Sequence, residues 1–418
     1  MGYLKGNAVV GQSGGPTAAI NATLSGVIKG VFDARDKGII DTVYGMRNGI
    51  EGLLEERIVD LCREFEDREK LTLVEHTPAA ALGSCRNKLP PVGEGDDVYE
   101  KLLSIFKKYN IRYFFYIGGN DSMDTVAKLS AYTKTHGYEM RVVGVPKTID
   151  NDLVGTDHTP GFGSAAKYIA TTMQEIIRDC AVYTVKAVTI VEVMGRDAGW
   201  LTASAALPRA VWGDSYAPDL VYLPERVFDL DEFFASVRAC LEKHPNVVVA
   251  VSEGVRFADG KYVGEGTQSG SVDAFGHKYL AGTGKALELA VKAEIGCKVR
   301  SVELNLPQRC AAHLSSRTDI TESVKVGKSA VKAAIAGQSE VMMCMIRKTD
   351  KKGNYRIDVA PSPIYDIANK IKYVPDSFIN KEGNNVTDGC LEYLLPLICG
   401  EVRIKYNSGL PEQYVIRS

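Results

Sequence analysis

Five times along the chain, a short apolar run leads into a polar or glycine-rich loop, and sequence with helical character usually follows. The runs are Gly6–Val10, Tyr113–Ile117, Arg141–Val145, Val188–Val193 and Val247–Val251. Near-continuous apolar strands that alternate with helices are typical of a parallel β-sheet covered on both faces. We therefore predict an α/β fold with the five loops at the carboxyl ends of the strands, where such sheets bind their ligands.

The bulk properties restrict the function classes. The 418 residues are too many for one ordinary core and favour two or three domains. A net charge of -2 gives no general attraction to nucleic acid or membranes, so any phosphate must be bound by local sites. No apolar run approaches the ~18 residues of a membrane span, and the N-terminus holds no signal-peptide core. The cysteines form no Cys-x-x-Cys pair and the histidines are isolated, which predicts a cytoplasmic protein with reduced thiols and no zinc site.

The first two loops have the composition of phosphate-binding sites. Gly11–Gly15 reads GQSGG between a strand and a helix, so backbone N–H groups and the helix dipole can bind an anion there. A tight strand-to-helix turn would have the same composition. Gly118–Ser122 reads GGNDS and adds the carboxylate of Asp121, an oxygen ligand of the kind that magnesium favours. A capped helix start explains this loop equally well and is compatible with ligand binding.

The third loop, Pro146–Asp152, reads PKTIDND and is the most informative. Two carboxylates stand two residues apart beside Lys147. One of them can take a proton from a hydroxyl nucleophile, and the lysine can neutralise charge on the transferring or leaving phosphate. The alternative is a solvated turn stabilised by its own aspartates.

Polar side chains also follow the fourth and fifth strands. The fourth leads into Met194-Gly195-Arg196, the fifth into Glu253, and Arg300 and Arg309 stand nine residues apart. Arginine forks suit bidentate phosphate binding, and a glutamate can accept hydrogen bonds from sugar hydroxyls. Each arginine taken alone is equally compatible with a surface ion pair.

These five loops, in this order, resemble the phosphofructokinase family over most of residues 5–320. SGGPTAAINA resembles the donor loop, GGNDS the GGDGS-type loop and PKTIDND the catalytic segment, while the later motifs resemble the fructose 6-phosphate site. The resemblance implies two Rossmann-like three-layer α/β domains with mostly parallel sheets and an active site in the cleft between them. A pyrophosphate and Mg²⁺ domain would comprise residues 1–160 with about 308–360 returning. A fructose 6-phosphate domain would comprise 161–307 with about 361–418. A homodimer or homotetramer with shared active sites is also implied.

The resemblance assigns roles position by position. The catalytic residues would be Asp150 as the base, with Thr148, Asp121 and Lys147. The donor phosphates would bind to Gly14, Gly15, Arg86 and Gly119. The sugar phosphate would bind to Thr148, Ile149, Asp150, Met194, Gly195, Arg196, Glu253, Arg300 and Arg309. The magnesium ligands would be Asn120, Asp121 and Asp152.

Asp121 and Lys147 indicate the phosphoryl donor, because ATP-dependent members of the family have glycine at both positions. A carboxylate at Asp121 adds bulk and like charge where the α-phosphate of ATP would pass, and Lys147 offsets charge on the departing phosphate. The resemblance is therefore to pyrophosphate-dependent members. It predicts Mg²⁺-dependent, reversible phosphorylation of fructose 6-phosphate to fructose 1,6-bisphosphate, in glycolysis and gluconeogenesis. ATP as donor, sedoheptulose 7-phosphate as acceptor, and a non-catalytic sugar-phosphate sensor remain as alternatives.

The chain departs from the family pattern at several positions. Asn120 replaces the usual acid at the magnesium position, and Leu306 stands where a polar sugar-contacting residue is common. Cys310 replaces a glycine, and Ala187 replaces an arginine of the sugar site. Residues 320–418 extend beyond the compact bacterial form, and the sequence assigns them no role.

Overall fold

The computed structural model describes residues 3–265 and 282–416, and it has the predicted α/β fold. In chain order the strands are β1 (Gly6–Gln12), β2 (Ile40–Met46), β3 (Ile58–Asp60), β4 (Ile111–Gly118), β5 (Arg141–Pro146), β6 (Ala187–Val193), β7 (Leu220–Tyr222), β8 (Asn246–Ser252), β9 (Lys298–Glu303), β10 (Val341–Thr349), β11 (Tyr355–Pro363), β12 (Tyr406–Asn407) and β13 (Leu410–Pro411). The five apolar runs lie in β1, β4, β5, β6 and β8, so each predicted strand is confirmed.

Most of the helices lie between successive strands of the chain. They are α1 (Ile20–Arg35), α2 (Gly49–Leu54), α3 (Leu61–Glu64), α4 (Arg68–His76), α5 (Asp96–Lys108), α6 (Asn120–Thr135), α7 (Phe162–Cys180), α8 (Trp200–Ser204), α9 (Leu207–Trp212), α10 (Leu230–Lys243), α11 (Thr283–Glu294), α12 (Pro307–Cys310), α13 (Arg317–Ile335) and α14 (Asp388–Leu394). In α1, Ile20, Leu24 and Val27 recur at helical spacing and are fully buried, as an apolar stripe facing the core requires. No helix in the described part of the chain is long and apolar enough to cross a membrane.

The first sheet has the strand order β11-β10-β5-β4-β1-β2-β3. Its five inner strands pair in parallel, and only the outermost strands, β11 and β3, pair antiparallel to their neighbours. Successive side chains of a strand point to opposite faces. Val10 and Phe115 accordingly lie in one apolar core, and Val9 and Phe114 in another. Each face of the sheet therefore has its own apolar core, and the sheet forms the middle of the three predicted layers.

The second sheet has the order β7-β8-β6-β9, and every pair in it is parallel. Ile190 and Val249 face one core, whereas Val191 and Val248 face the other. This sheet also forms the middle layer of three. A small hairpin of β12 and β13 lies apart from both sheets.

Helix α13 returns the chain to the first sheet and packs across α1 through two glycines. A Cβ atom on Gly26 would lie 2.3 Å from the carbonyl oxygen of Val324, and one on Gly327 would lie 2.2 Å from that of Thr23. Only glycine permits backbones to approach this closely. The contact holds α13 in place, so that β10 and β11 can extend the first sheet. The domain limits at residues 160, 307 and 360 stay a prediction.

The residues beyond 363 contact both halves of the molecule. Val374, Leu391 and neighbouring apolar residues complete one core of the second sheet. Farther on, Ile416 joins a core of the first sheet, and the backbone N–H of Tyr414 donates to Thr77 Oγ1 over 2.9 Å. The C-terminal region therefore ties the two sheets together.

Candidate active site

All five predicted loops converge on one cavity of about 870 Å³. The loops after β1, β4 and β5 of the first sheet line it together with those after β6 and β8 of the second. The predicted site residues among its walls are Gly14, Gly15, Arg86, Gly119, Asn120, Asp121, Lys147, Thr148, Ile149, Asp150, Asp152, Met194, Arg196, Glu253 and Arg309. The geometry thus brings most of the predicted site together, and the individual roles stay predictions.

Glycines shape the first loop. Gly14 has a φ of 75°, and a Cβ atom on it would lie 3.3 Å from the Lys147 ammonium nitrogen. A Cβ on Gly15 would lie 3.3 Å from Nη1 of Arg309. Side chains at these two positions would therefore crowd the cations that line the cavity.

The sequence suggested that the dipole of the helix after the first loop would help to bind an anion. In the structure, a helix begins at the second loop instead. Helix α1 begins only at Ile20, where Thr17 Oγ1 accepts from the backbone N–H groups of Ala19 and Ile20. Helix α6 instead begins at Asn120, directly at the second loop. Because the dipole acts mainly within the first turn, α6 contributes the favourable potential for an anion.

Lys147 is buried beneath the donor loop. Its ammonium donates to the carbonyl oxygen of Gly15 over 2.6 Å, and its residue is 3% exposed. Burial lowers the pKa of Lys147 to about 8, although the neighbouring Asp150 opposes this shift. A cation is thereby held in a poorly solvated position, where its field on a phosphate is strong.

Asp121 faces a lysine that the sequence did not single out. Lys88 Nζ lies 2.8 Å from Asp121 Oδ1, and both residues line the cavity. The pair links the loop that carries Arg86 to the first turn of α6. The Lys88 ammonium offsets part of the negative charge of Asp121, so the predicted exclusion of a nucleotide would depend more on the bulk of the side chain than on its charge.

The loop Pro146–Asp152 forms a partly buried turn rather than the solvated one considered as an alternative, with its alternate residues Thr148, Asp150 and Asp152 half-buried at the cavity. Thr148 Oγ1 accepts from the backbone N–H of Asp150 over 3.1 Å, and Asn151 between the two aspartates is fully buried. Burial raises the pKa of Asp150, although Lys147 pulls it down. Burial and then the charge of Asp150 raise the pKa of Asp152 to about 7. Raised carboxylate pKa values suit proton transfer near neutral pH.

The loops of the second sheet form the other wall. The backbone N–H of Gly195 donates to Glu253 Oε1 over 3.2 Å, and that of Met194 donates to Gln308 Oε1 over 3.2 Å. Burial raises the pKa of Glu253 to about 8, so this side chain can both donate and accept hydrogen bonds at neutral pH. Arg196 and Arg309 supply cations to the same wall.

Two predicted residues do not line the cavity. Gly195 contributes its backbone to the Glu253 contact but not to the wall. Arg300 lies on β9, the outer strand of the second sheet, where it is exposed. Within one chain, Arg300 therefore does not reach the predicted sugar site.

Several wall residues were missed by sequence reasoning. They are Lys88, Glu192, Glu303, Asn369 and Ile371. Lys88 stands two residues after Arg86 in the same loop, which is a signal that could have found it. Glu192 lies near the end of the fourth predicted strand, and Glu303 lies between Arg300 and Arg309. Nothing local in the sequence connects Asn369 or Ile371 to the site.

Asn120 uses both ends of its amide to bind the C-terminal region. Its Nδ2 donates to the carbonyl oxygen of Lys370 over 2.7 Å, and its Oδ1 accepts from the backbone N–H of Asn369 over 2.5 Å. An aspartate could not donate the first of these bonds. This requirement explains why an amide replaces the acid that the resemblance expects there.

The carboxylates of the cavity are compatible with magnesium but do not form a complete metal cage. No group of three or more His, Cys, Asp or Glu side chains that could hold a metal occurs within residues 3–265 and 282–416. Magnesium usually binds through one or two carboxylates together with substrate phosphates and water. The oxygen donors of Asp121, Asp150 and Asp152 on one cavity fit that pattern.

A buried network of charged side chains follows the PKTIDND turn in the sequence and is centred on His158. His158 is 2% exposed, and its ring nitrogens lie 2.8 Å from Asp157 Oδ2 and 2.7 Å from Glu322 Oε2. Burial alone would lower the pKa of His158, but the two carboxylates outweigh burial and raise the pKa above its ordinary 6.5. On Asp157, burial is outweighed by His158 and Arg347, and the pKa falls to about 2.

We expect His158→Gln to reduce the free energy of unfolding by about 3 kcal/mol at pH 6, because it leaves the buried Glu322 carboxylate without its charged partner, whereas Asp157 keeps Arg347. A raised pKa in the folded state means that the protonated imidazole stabilises the fold. This contribution is complete below about pH 6.5 and is lost as the pH rises through the raised pKa. The free energies of unfolding of the variant and the wild type, measured with urea, should therefore differ more at pH 6 than at pH 9.

His244→Gln is the matched control, since His244 pairs with Asp219 at a side-chain exposure of 43%. An exposed pair should contribute no more than about 1 kcal/mol at either pH. An equal loss for both variants would contradict the stabilising role of a charged His158.

Known proteins resemble this chain over its full length. A phosphofructokinase family model matches residues 7–334. The pyrophosphate–fructose 6-phosphate 1-phosphotransferase of Xanthomonas campestris pv. campestris is 42% identical over 416 residues, covering 99% of this chain and 96% of the relative. The enzyme of the same name from Halomonas elongata is 41% identical over 410 residues, covering 97% and 95%. The crystal structure of pyrophosphate-dependent phosphofructokinase from Nitrosospira multiformis superposes with a TM-score of 0.87 at 37% identity, covering 98% and 96%. With five loops of the expected sequence around one cavity and matches of this extent, the chain belongs to the phosphofructokinase family.

Proposed function

We propose that this phosphofructokinase transfers a phosphoryl group from pyrophosphate to the 1-hydroxyl of fructose 6-phosphate. The observation that carries the donor assignment is the buried Lys147 ammonium, held 2.6 Å from the Gly15 carbonyl beside Asp150. Asp121 supports it, because its side chain lines the cavity at a position where ATP-dependent members of the family have glycine. Relatives with this activity in their names match nearly the whole chain.

In the proposed reaction, the Asp150 carboxylate takes the proton of the sugar 1-hydroxyl. The oxygen attacks the nearer phosphorus of pyrophosphate in line, and the bond from that phosphorus to the bridging oxygen breaks. Inorganic phosphate leaves with the bond electrons, and fructose 1,6-bisphosphate forms. Lys147 stabilises the charge on the leaving phosphate, and Arg196 and Arg309 hold the sugar phosphate. Catalysis would come mostly from positioning and charge stabilisation.

Magnesium is the proposed cofactor, with Asp121 and Asp152 as its ligands from the chain. When bound, it would neutralise charge on the pyrophosphate oxygens. Asn120 stays a predicted ligand, although its amide already binds the backbone of Asn369 and Lys370.

A homo-oligomer with shared active sites is part of the proposal. Arg300 is exposed on the outer strand β9 of one sheet, so it could complete a sugar site only in a partner subunit. A homodimer and a homotetramer both satisfy this requirement. The proposed location is the cytoplasm, since all nine cysteines of the chain lie in the described residues and are free thiols.

A matrix of donors and acceptors tests the proposal. We expect turnover with pyrophosphate and fructose 6-phosphate, and reversal with fructose 1,6-bisphosphate and phosphate, because the transfer potentials of donor and product are similar. A coupled assay with purified protein would measure both directions. Turnover with ATP and none with pyrophosphate would overturn the donor assignment. Preference for sedoheptulose 7-phosphate would overturn the acceptor, and binding of sugar phosphate without turnover would identify a sensor.

A further inference from the structure

A short C-terminal segment lies across the active-site loops. We name residues 369–372 the strap. Its first two residues bind Asn120 at the start of α6, as described above. Asn369 and Ile371 form part of the cavity wall. The strap lies outside the residues 7–334 that match the family model, so its contacts belong to the C-terminal extension of this chain.

The strap also binds the catalytic turn through its backbone. The N–H of Lys372 donates to the carbonyl oxygen of Asp152 over 2.7 Å, and Ile371 forms an antiparallel bridge with Leu153. On the other side, the indole N–H of Trp200 donates to the carbonyl oxygen of Lys372 over 3.0 Å. The strap therefore connects the GGNDS loop at the start of α6, the PKTIDND turn and helix α8, which follows the sugar-site loop.

The side chain of Lys372 is the centre of these contacts. Its ammonium lies 3.0 Å from Asn151 Oδ1, 2.7 Å from the carbonyl oxygen of Asp157 and 3.3 Å from that of Thr156. Three acceptors match the three N–H donors of an ammonium group, so all of them are used within the protein. Burial lowers the pKa of Lys372 to about 8, which leaves the group mostly charged at neutral pH.

The backbone of Asn151 is in an uncommon conformation. Its φ of 53° lies in the left-handed region, which few residues other than glycine adopt, asparagine being one of them. Such a conformation persists only where the surroundings determine it. Lys372 holds the amide oxygen of Asn151, and Asn151 Nδ2 lies 3.3 Å from the Tyr393 hydroxyl, which itself donates to the carbonyl oxygen of Asp157.

We propose that Lys372 is a positioning residue for phosphoryl transfer: by holding Asn151, its ammonium keeps Asp150 and Asp152 directed into the cavity. Asn151 stands between the two aspartates, so any change in its φ rotates their side chains relative to each other. The inference deepens the proposed function and depends on it, because Asp150 is the proposed base. Lys372 itself does not line the cavity, so it acts through the turn and not on a substrate.

The test is steady-state kinetics of Lys372→Met, with the donor and acceptor that the wild type uses. We expect kcat to fall by about 10²-fold, because small misplacements of reacting groups have effects of that size. KM for fructose 6-phosphate should stay within about threefold, since Arg196 and Arg309, which are proposed to hold the sugar phosphate, are unchanged. Lys370→Met is the matched control: its side chain is exposed, only its backbone carbonyl binds Asn120, and its kcat should stay within about twofold.

A purely structural role would lower the unfolding temperature of Lys372→Met but leave kcat of the folded enzyme unchanged. A folded variant whose kcat stays within about threefold of the wild type would therefore overturn the inference. If Lys372→Met does not fold, Lys372→Gln replaces it in the test. This variant keeps N–H donors but loses the charge, and the same threefold limit on kcat applies to it. Failure of the proposed function appears separately, as wild-type turnover with a different donor or none.

Discussion

Asp150→Asn is expected to reduce kcat by about 10²–10⁴-fold while leaving fructose 6-phosphate binding within a few-fold of the wild type, since an amide cannot accept the hydroxyl proton. The sugar phosphate is held by other residues, among them Arg196 and Arg309. Stability should not fall. Burial already disfavours the charged form of Asp150, so a neutral amide of the same shape should leave the unfolding temperature equal or raise it.

Turnover by a coupled assay and binding by titration calorimetry measure the two effects separately. Asp358→Asn on the exposed part of β11 is the matched control and should retain full activity. Retention of more than about a tenth of kcat by Asp150→Asn would remove the base role. Loss of sugar-phosphate binding together with turnover would assign Asp150 to substrate binding instead.

Local sequence carried enough information to predict the strands and the loops that follow them. Apolar runs such as Tyr113–Ile117 are buried on both faces of a sheet, and this burial restricts every position in the run. The carboxyl-end rule then brings loops that are more than 200 residues apart, such as Gly15 and Glu253, to one cavity. Burial and topology together therefore determine most of the site.

Contacts made by single side chains across long separations could not be predicted in this way. Asn120 differs from the family pattern because its amide binds the backbone of the C-terminal region. Its partner Asn369 lies 249 residues further along the chain, so no local pattern could predict the contact. Lys372 contacts Asn151 in the PKTIDND turn, yet it stands in no loop motif with recognisable composition. Periodicity reports which face of an element is buried, but not which polar side chains meet across the cavity.

The donor preference depends on two side chains that act in different ways. Asp121 stands at the surface of the cavity, joined to Lys88 over 2.8 Å. Lys147 lies beneath the donor loop and neighbours Asp150. The first would exclude a nucleotide, and the second would stabilise the phosphate that leaves. Substituting both should therefore affect the two donors in opposite directions.

We expect Asp121→Gly combined with Lys147→Gly to lower kcat/KM for pyrophosphate by about 10²–10³-fold, the usual effect of removing a preorganised donor from a developing charge. Turnover with ATP should rise above the wild-type level, because the variant removes the bulk and charge that oppose the nucleotide. KM for fructose 6-phosphate serves as the internal control. Asp121→Asn, which keeps the size but not the charge, separates repulsion from bulk. Unchanged pyrophosphate kinetics in the double variant would contradict the mechanism, since neither side chain would then determine the donor.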